Sequence, residues 1–570
     1  MSANPVVAYF SMEIALDPSV PTYAGGLGIL AGDTLRSAAD LGIPMVGVTL
    51  AHRRGYFHQV LDSQGRQSEE PVRWSIDDFA ERLDTRIEIQ VEDRPVRVAA
   101  WRYRMRGVGD FEVPVFLLDT ELPENDAAAR QLTDSLYGGD SRHRLCQEAV
   151  LGLAGLRMLR ALGYDEIARF HLNEGHAALV IVGLVEESAA VDGGRTAAAR
   201  LEAVRTRCVF TTHTPVPAGQ DRFSRDLVAR VLGESRCALL EICAGKSEIN
   251  LTEIALSGSR FINGVAMRHG EISRGMFPSY PIHSITNGVH VRTWATPAIA
   301  QLYDRHLPDW SRDALCLRYA ISIPLEEIWS AHREAKRALL AAVNRESNAG
   351  FDQDVFTLGL ARRATAYKRL GLVFRDLERL RAIARAEGPL QIVLAGKAHP
   401  RDEDGKQIIQ SIHRARDALR GDVAVAYLPN YDMSLARLLC GGSDVWLNTP
   451  IPPLEASGTS GMKAAVNGVP SLSILDGWWI EGHVEGMTGW AIRGDDAARG
   501  GAGGDEADAE ALYRALAGAV MPCFYKQHEQ FVRIMRYAIA INAAFFNSER
   551  MLWQYLHSAY HVELGVGTPV

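Results

Sequence analysis

Val355-Phe356-Thr357-Leu358-Gly359-Leu360 is an unbroken apolar run, and it ends directly on Ala361-Arg362-Arg363-Ala364-Thr365-Ala366-Tyr367-Lys368-Arg369. A strand exposed on one face alternates apolar and polar residues. A run without alternation is what a strand covered on both faces requires, as in a parallel sheet with helices above and below. Four cations then crowd into the eight residues from Arg362 to Arg369. They repel one another unless an anion relieves them, and one or two phosphates would do so. A solvated basic helix start is the plain alternative. The position favours an anion, because ligands of open α/β sheets bind outside the carboxyl ends of the strands.

The same grammar recurs along the 570 residues. Val6–Phe10, Ile43–Leu50, Val113–Leu118, Ala168–Leu172 and Cys208–Thr212 read as strands, with helices such as 146–162 and 176–187 between them. After an Ala-rich helix over Leu325–Glu346, a second set begins: Val355–Leu360, Leu390–Ala395, Val423–Leu428 and Asp444–Leu447. Gly500–Glu506 reads as a loop and Glu529–Tyr560 as mostly helical. The expected fold class is therefore α/β, with two doubly wound, Rossmann-like halves offering a cleft. The expected divisions are an N-terminal domain over 1–292, a helical connection over 293–347, a C-terminal domain over 348–535 and a helical tail over 536–570 that packs back on the N-terminal domain.

Composition excludes several classes. Apolar residues make up 47% and charged residues 23%, with 51 Gly and 24 Pro, which is ordinary for a globular chain. A net charge of −8 disfavours nucleic acid as a partner. Seven widely spaced cysteines without a CxxC pair argue against a disulfide framework or a zinc ribbon and for the cytoplasm. No basic residue precedes Arg36, so no signal-peptide n-region is expected, and the apolar run 177–185 is too short to span a bilayer. No metal is expected either: His171 and His176 are five apart and do not share a helix face.

Lysine stands at only seven positions, 246, 336, 368, 397, 406, 463 and 526, and the rest of the 61 basic residues are Arg. Where Lys appears in unusual surroundings, an amine is needed that Arg cannot replace, since Arg stays protonated and forms no Schiff base. Lys246 and Lys526 carry no such surroundings. Lys463 does. It lies just inside a helix that follows Glu455-Ala456-Ser457-Gly458-Thr459-Ser460-Gly461-Met462, a run of small residues whose amides and hydroxyls suit a phosphate. A phosphate cradle beside an amine fits pyridoxal phosphate, while a capping loop with an incidental lysine is the other reading. Gly26-x-Gly28-x-x-Ala31 fits the dinucleotide fingerprint only formally, because no strand directly precedes it. Its amides remain able to approach a phosphate, or simply to make a tight turn. His213, at the end of the strand over 208–212, and His176 are as easily structural as functional.

Glu455 to Lys463, with Asn467-Gly468 and Asp476-Gly477, closely resembles the cofactor-lysine motif of the α-glucan phosphorylases that act on glycogen, starch and maltodextrin. Gly25-Gly26-Leu27-Gly28, Asn173-x-x-His176, Thr212-His213-Thr214, Thr286-Asn287-Gly288, Arg363…Tyr367-Lys368-Arg369, Gly396-Lys397-Ala398 and Phe546-Asn547-Ser548-Glu549-Arg550 resemble motifs of that family in the same order. The resemblance implies the two-domain glycosyltransferase-B fold and reversible phosphorolysis of terminal α-1,4-linked glucosyl units to glucose 1-phosphate, with retention.

The resemblance also implies roles. Lys463 is the Schiff-base lysine of pyridoxal phosphate. Thr459, Ser460, Gly26, Arg362 and Lys368 surround the cofactor phosphate, and Tyr431 lines the cofactor pocket. Arg363 and Lys368 hold the substrate phosphate. Glu455, Ser457, Gly458, Asn287 and His213 hold the glucosyl unit, and Gly25 and His176 fall within substrate-binding motifs. Lys368, Arg363 and His213 are the catalytic group, with the cofactor's 5′-phosphate relaying the proton and His213 acting through its carbonyl and a sugar hydroxyl. The sequence departs from the familiar animal members: Arg362 stands for lysine, Thr365-Ala366 for His-Glu, Ser460-Gly461 for Gly-Asn, and Ala15 for an aromatic. Only five residues precede the first strand, so control by AMP or N-terminal phosphorylation is not expected. The partners implied are α-glucan, inorganic phosphate and glucose 1-phosphate, without nucleic acid or membrane, and a homo-oligomer is compatible with them. Two alternatives stay open: a nucleotide-sugar-dependent glucan synthase of the same fold, and a glucan-binding relative without turnover.

Overall fold

The computed structural model describes residues 6–191, 194–216, 219–244, 248–493 and 504–561. Lys246, the first five residues and Gly500–Gly503 lie outside them. The chain divides into two compact units. Unit one comprises Met1–Phe57, Pro71–Thr286 and Met551–Val570, and unit two comprises His58–Glu70 and Asn287–Arg550.

Unit one is built on a nine-stranded sheet: β1 (Val7–Ser11), β2 (Met45–Leu50), β3 (Glu81–Val91), β4 (Arg94–Arg106), β5 (Glu112–Asp119), β6 (Arg169–Asn173), β7 (Cys208–Thr211), β8 (Phe261–Gly264) and β9 (Ile282–Ser284). The spatial order is β9-β8-β7-β6-β1-β2-β5-β4-β3. From β9 to β5 all pairings are parallel. The expected strands are present, entirely buried where the sequence is uniformly apolar. The antiparallel edge made by β3 and β4 was not expected. Their outer residues are charged and alternate with buried ones, so they form a half-solvated strand pair on a parallel sheet.

Unit two holds a six-stranded, wholly parallel sheet: β10 (Phe356–Ala361), β11 (Leu390–Ala395), β12 (Ala424–Leu428), β13 (Val445–Asn448), β14 (Ser471–Ile474) and β15 (Gly489–Ile492), in the order β12-β11-β10-β13-β14-β15. The last two strands were not expected. A long helix, Leu325–Ser347, precedes the sheet, as its polar–apolar period predicts. Where a loop was expected over Gly500–Glu506, a helix begins at Gly504 and runs to Ala515, with Asp505 and Glu506 in its first turn, where the helix dipole favours acids. Among the described residues no helix is long and apolar enough to cross a membrane.

Both sheets reverse their order at one place. In unit one, chain order runs outward from β1 through β2 on one side and resumes through β6 on the other. In unit two it runs from β10 through β11, then resumes at β13. Such switch points leave a crevice at the carboxyl ends of the two strands that flank them.

Candidate functional site

At the switch point of unit two, the loops after β10 and β13 meet around one carboxylate. The loop after β10 stays beside β11, because Arg362 N–H donates to Ala395 O (3.1 Å) and Ala364 N–H to Lys397 O (3.0 Å). Lys368 Nζ then donates to Glu455 Oε1 at 2.5 Å, Arg362 reaches Glu455 Oε2 at 3.4 Å, and the same guanidinium holds Lys368 O at 2.9 Å. Glu455 and Arg362 are both buried. Burial alone would raise the Glu455 carboxyl, but the Lys368 and Arg362 charges hold it below its ordinary range. Tyr431 and Tyr367 lie close enough to act electrostatically on Arg362. Arg363 is exposed, and its charge bears on His399.

Glu455 is fixed from behind. Its N–H donates to Asp476 Oδ2 at 2.8 Å, and Gly477 N–H donates to Asp476 Oδ1 at 2.9 Å. Burial pushes the Asp476 carboxyl up to about 6. Gly477 has φ +53°, and a Cβ there would lie 2.5 Å from Ser457 O, so glycine is required.

The loop continues through Gly458, in the left-handed region at φ +83°, into the helix Thr459–Val466. Among the described residues no side chain caps that helix, which leaves its first amides to another acceptor. Among the described residues, Ser457 Oγ is buried without a hydrogen-bond partner. Ser460 Oγ accepts from Trp446 Nε1–H at 3.1 Å. One turn on, Lys463 is buried, with Nζ 3.9 Å from the centroid of Trp294. Asn467 sets that arrangement: its amide donates to Lys463 O and Trp294 O, both at 2.9 Å, and accepts from Thr296 N–H at 2.8 Å. Asn287 is also buried in this unit. Arg550 donates to its carbonyl at 3.0 Å, while the Asn287 side-chain Oδ1 has no hydrogen-bond partner among the described residues. Gly288 has no room for a Cβ because Asn547 O would lie 2.0 Å away, which explains why the segments around 287 and 547 belong together.

At the switch point of unit one, Gly25 caps the helix Gly26–Asp40, and Glu13 Oε2 accepts from Ala24 N–H (2.6 Å) and Gly25 N–H (3.1 Å). Glu13 also accepts from Tyr137 OH at 2.7 Å. Across the switch, His213 Nε2 meets Asn173 Oδ1 at 2.7 Å, so Nε2 carries the proton and Nδ1 is the acceptor. Burial drives the His213 imidazole down to about 3, aided by His269, His171 and His176. Glu174 Oε2 accepts from His213 N–H (2.8 Å) and Thr214 Oγ1–H (3.0 Å), while Glu174 itself sits at φ +74°. That strained backbone is held by the bonds its side chain makes. His176 Nε2 lies 3.3 Å from Asp221 Oδ2. His171 instead bonds Tyr560 OH and Thr211 Oγ1 within the core.

Sequence reading missed Glu13, Glu174 and Trp294, and it named Asp476 only within the Asp476-Gly477 motif, without a role. Of the three missed, only Glu13 gave a signal: a lone acid inside the apolar stretch from Val6 to Leu16.

Comparison with known proteins agrees with this picture. A family described as carbohydrate phosphorylase matches residues 221–487. Glycogen phosphorylase of Mycobacterium tuberculosis is 38% identical over 97% of this chain and 70% of its own length. Maltodextrin phosphorylase of Thermococcus litoralis is 36% identical over 97% and 70%. Glycogen phosphorylase of Aquifex aeolicus is 36% identical over 97% of this chain and 86% of its own.

Proposed function

Because this chain belongs to the carbohydrate phosphorylase family, we propose that it is a glycosyltransferase that transfers the terminal α-1,4-linked glucosyl unit of a glucan to inorganic phosphate, reversibly, giving glucose 1-phosphate. The observation that carries this reading is the Arg362–Lys368–Glu455 cluster at the switch point of the parallel sheet. It sits beside a helix whose first amides no side chain caps.

The residues fit pyridoxal phosphate. Lys463 supplies a buried primary amine against an aromatic face. Among the described residues no side chain caps the helix that carries it, so its first amides suit a phosphate. Lys463 would hold the group covalently, with Thr459, Ser460, Gly26, Arg362, Lys368 and Tyr431 around it. When bound, the group supplies a second phosphate that relays a proton to and from the substrate phosphate.

The protein's own residues do the positioning. Arg362 is buried and Lys368 half-buried, and both are cations fixed by Glu455, so charge stabilisation requires little reorganisation. Glu455, ionised and anchored by Asp476, keeps the two cations at set places. With Arg363, they favour two phosphates approaching each other, which would otherwise repel. His213 is neutral throughout the physiological range, so it does not protonate the leaving oxygen. That proton comes from the substrate phosphate. His213 and His176, with Gly25, Asn287, Ser457 and Gly458, are assigned to the glucosyl unit. All seven cysteines are free, which suits a cytoplasmic enzyme.

Incubation with maltodextrin or glycogen and phosphate tests the proposal. Glucose 1-phosphate is expected, and chain elongation with phosphate release is expected from glucose 1-phosphate. Incorporation of glucose only from a nucleotide sugar would reject it.

A further inference from the structure

We infer that Arg369 is a positioning residue for the phosphate-binding cations: it joins the loop that carries Lys368 to the loop that carries Glu455 and ties both to the helix Gly504–Ala515. The inference rests on the phosphorolytic reading above.

Arg369 follows Lys368 directly and is buried. Its guanidinium makes four contacts. Nε donates to Thr449 O at 3.1 Å and one terminal nitrogen to Pro450 O at 2.7 Å, both in the segment that leads from β13 towards Glu455. The same nitrogen donates to Asp508 Oδ2 at 2.7 Å, and the other donates to Asp505 Oδ1 at 2.8 Å. The backbone joins in: Thr449 Oγ1 donates to Arg369 O at 3.1 Å, and Ile451 N–H donates to Tyr367 O at 2.8 Å. The two loops are thus zipped together immediately before the Lys368–Glu455 pair.

Arg369 has φ +48°, a conformation that a long side chain adopts only where its surroundings enforce it. The enforcement comes from a planar fork that reaches two carbonyls and two carboxylates at once, which the single ammonium of lysine cannot reproduce. The turn Ala366–Lys368 lies directly ahead of that strained residue, so the direction of the Lys368 side chain depends on it. Asp508 is buried, and its charge partner is therefore worth more than a surface one.

The test is isothermal titration of the holoenzyme with inorganic phosphate and, separately, with maltoheptaose, for the wild type, Arg369→Lys and Asp508→Asn. The phosphate dissociation constant is expected to rise by about tenfold or more in Arg369→Lys. It should rise less in Asp508→Asn, with maltoheptaose affinity within about twofold in both. Combining the two substitutions should cost less than the product of the single effects. Unchanged phosphate affinity in both variants overturns the inference. So does an equal fall for phosphate and maltoheptaose, which marks a general structural role. If Arg369→Lys does not fold, Asp508→Asn decides alone. A wild type that binds phosphate but forms no glucose 1-phosphate refutes the phosphorolytic reading and leaves this inference standing. A wild type that binds no phosphate refutes both.

Discussion

The Lys463 amine lies 3.9 Å from the centroid of the Trp294 indole, and one side chain, Asn467, bonds the carbonyls of both residues. The amine is thereby held at a defined, buried place inside the protein. Replacing it by a guanidinium keeps charge and approximate length but forms no Schiff base.

Lys463→Arg should fold and carry no covalent cofactor. Purified wild type, reduced with borohydride and denatured, should keep pyridoxyl absorbance and added mass. The variant should keep neither. Retention of the label by the variant would show that another residue carries the group.

The two glycines at positions 26 and 28 separate structural from functional demand. A Cβ at Gly28 would lie 2.7 Å from Glu13 Oε2 and from Tyr23 Cβ, whereas one at Gly26 meets nothing within 4 Å. Gly28→Ala should therefore destabilise the protein by about 1–3 kcal/mol, seen as a lowered Tm. Gly26→Ala should leave Tm nearly unchanged and, on the proposed placement of this loop against a phosphate, still impair phosphorolysis. Full activity of Gly26→Ala would remove that loop from the site.

Much of this was open to sequence reading where the signal is local. The apolar run before Arg362, the cations after it and the small-residue loop before Lys463 each lie within one window of chain. What could not be read is partnership. Lys368 and Glu455 are 87 residues apart, and only the adjacency of β10 and β13 brings them together. Glu13 stands out as a lone acid and Asp476 belongs to a motif, but that each accepts from backbone amides could not be read from residue type. β3 does carry a local signal, since Leu83, Thr85, Ile87, Ile89 and Val91 alternate with polar residues as a half-solvated strand requires, and reading only for unbroken apolar runs passes it over.

Asp476 should make stability fall as pH rises. Its folded carboxyl titrates at about 6, above the ordinary value of 3.8, so between these values the folded state binds more protons than the unfolded one. The stabilising contribution is complete below about 4 and lost as pH passes 6, worth at most about 3 kcal/mol. Tm of Asp476→Asn relative to wild type, measured from pH 4 to pH 7, should rise over this window. A constant difference would contradict the shifted carboxyl.

His213 should stay neutral in solution. Its imidazole titrates at about 3 in the folded state, below the ordinary 6.5, so its stabilising contribution is present above 6.5 and lost as pH falls towards 3. Nitrogen-15 spectra of labelled protein should report the Nε2–H tautomer from pH 8 down to pH 5. An imidazolium at pH 6 would reopen His213 as a proton donor.

The most direct measurement is a phosphorus-31 time course of wild type with maltoheptaose and inorganic phosphate, beside Lys463→Arg. In the wild type, the phosphate signal should decline as that of α-glucose 1-phosphate grows, one for one, and the variant should convert none. Release of free glucose or maltose without consumption of phosphate, or equal conversion by the variant, would contradict phosphorolysis through Lys463.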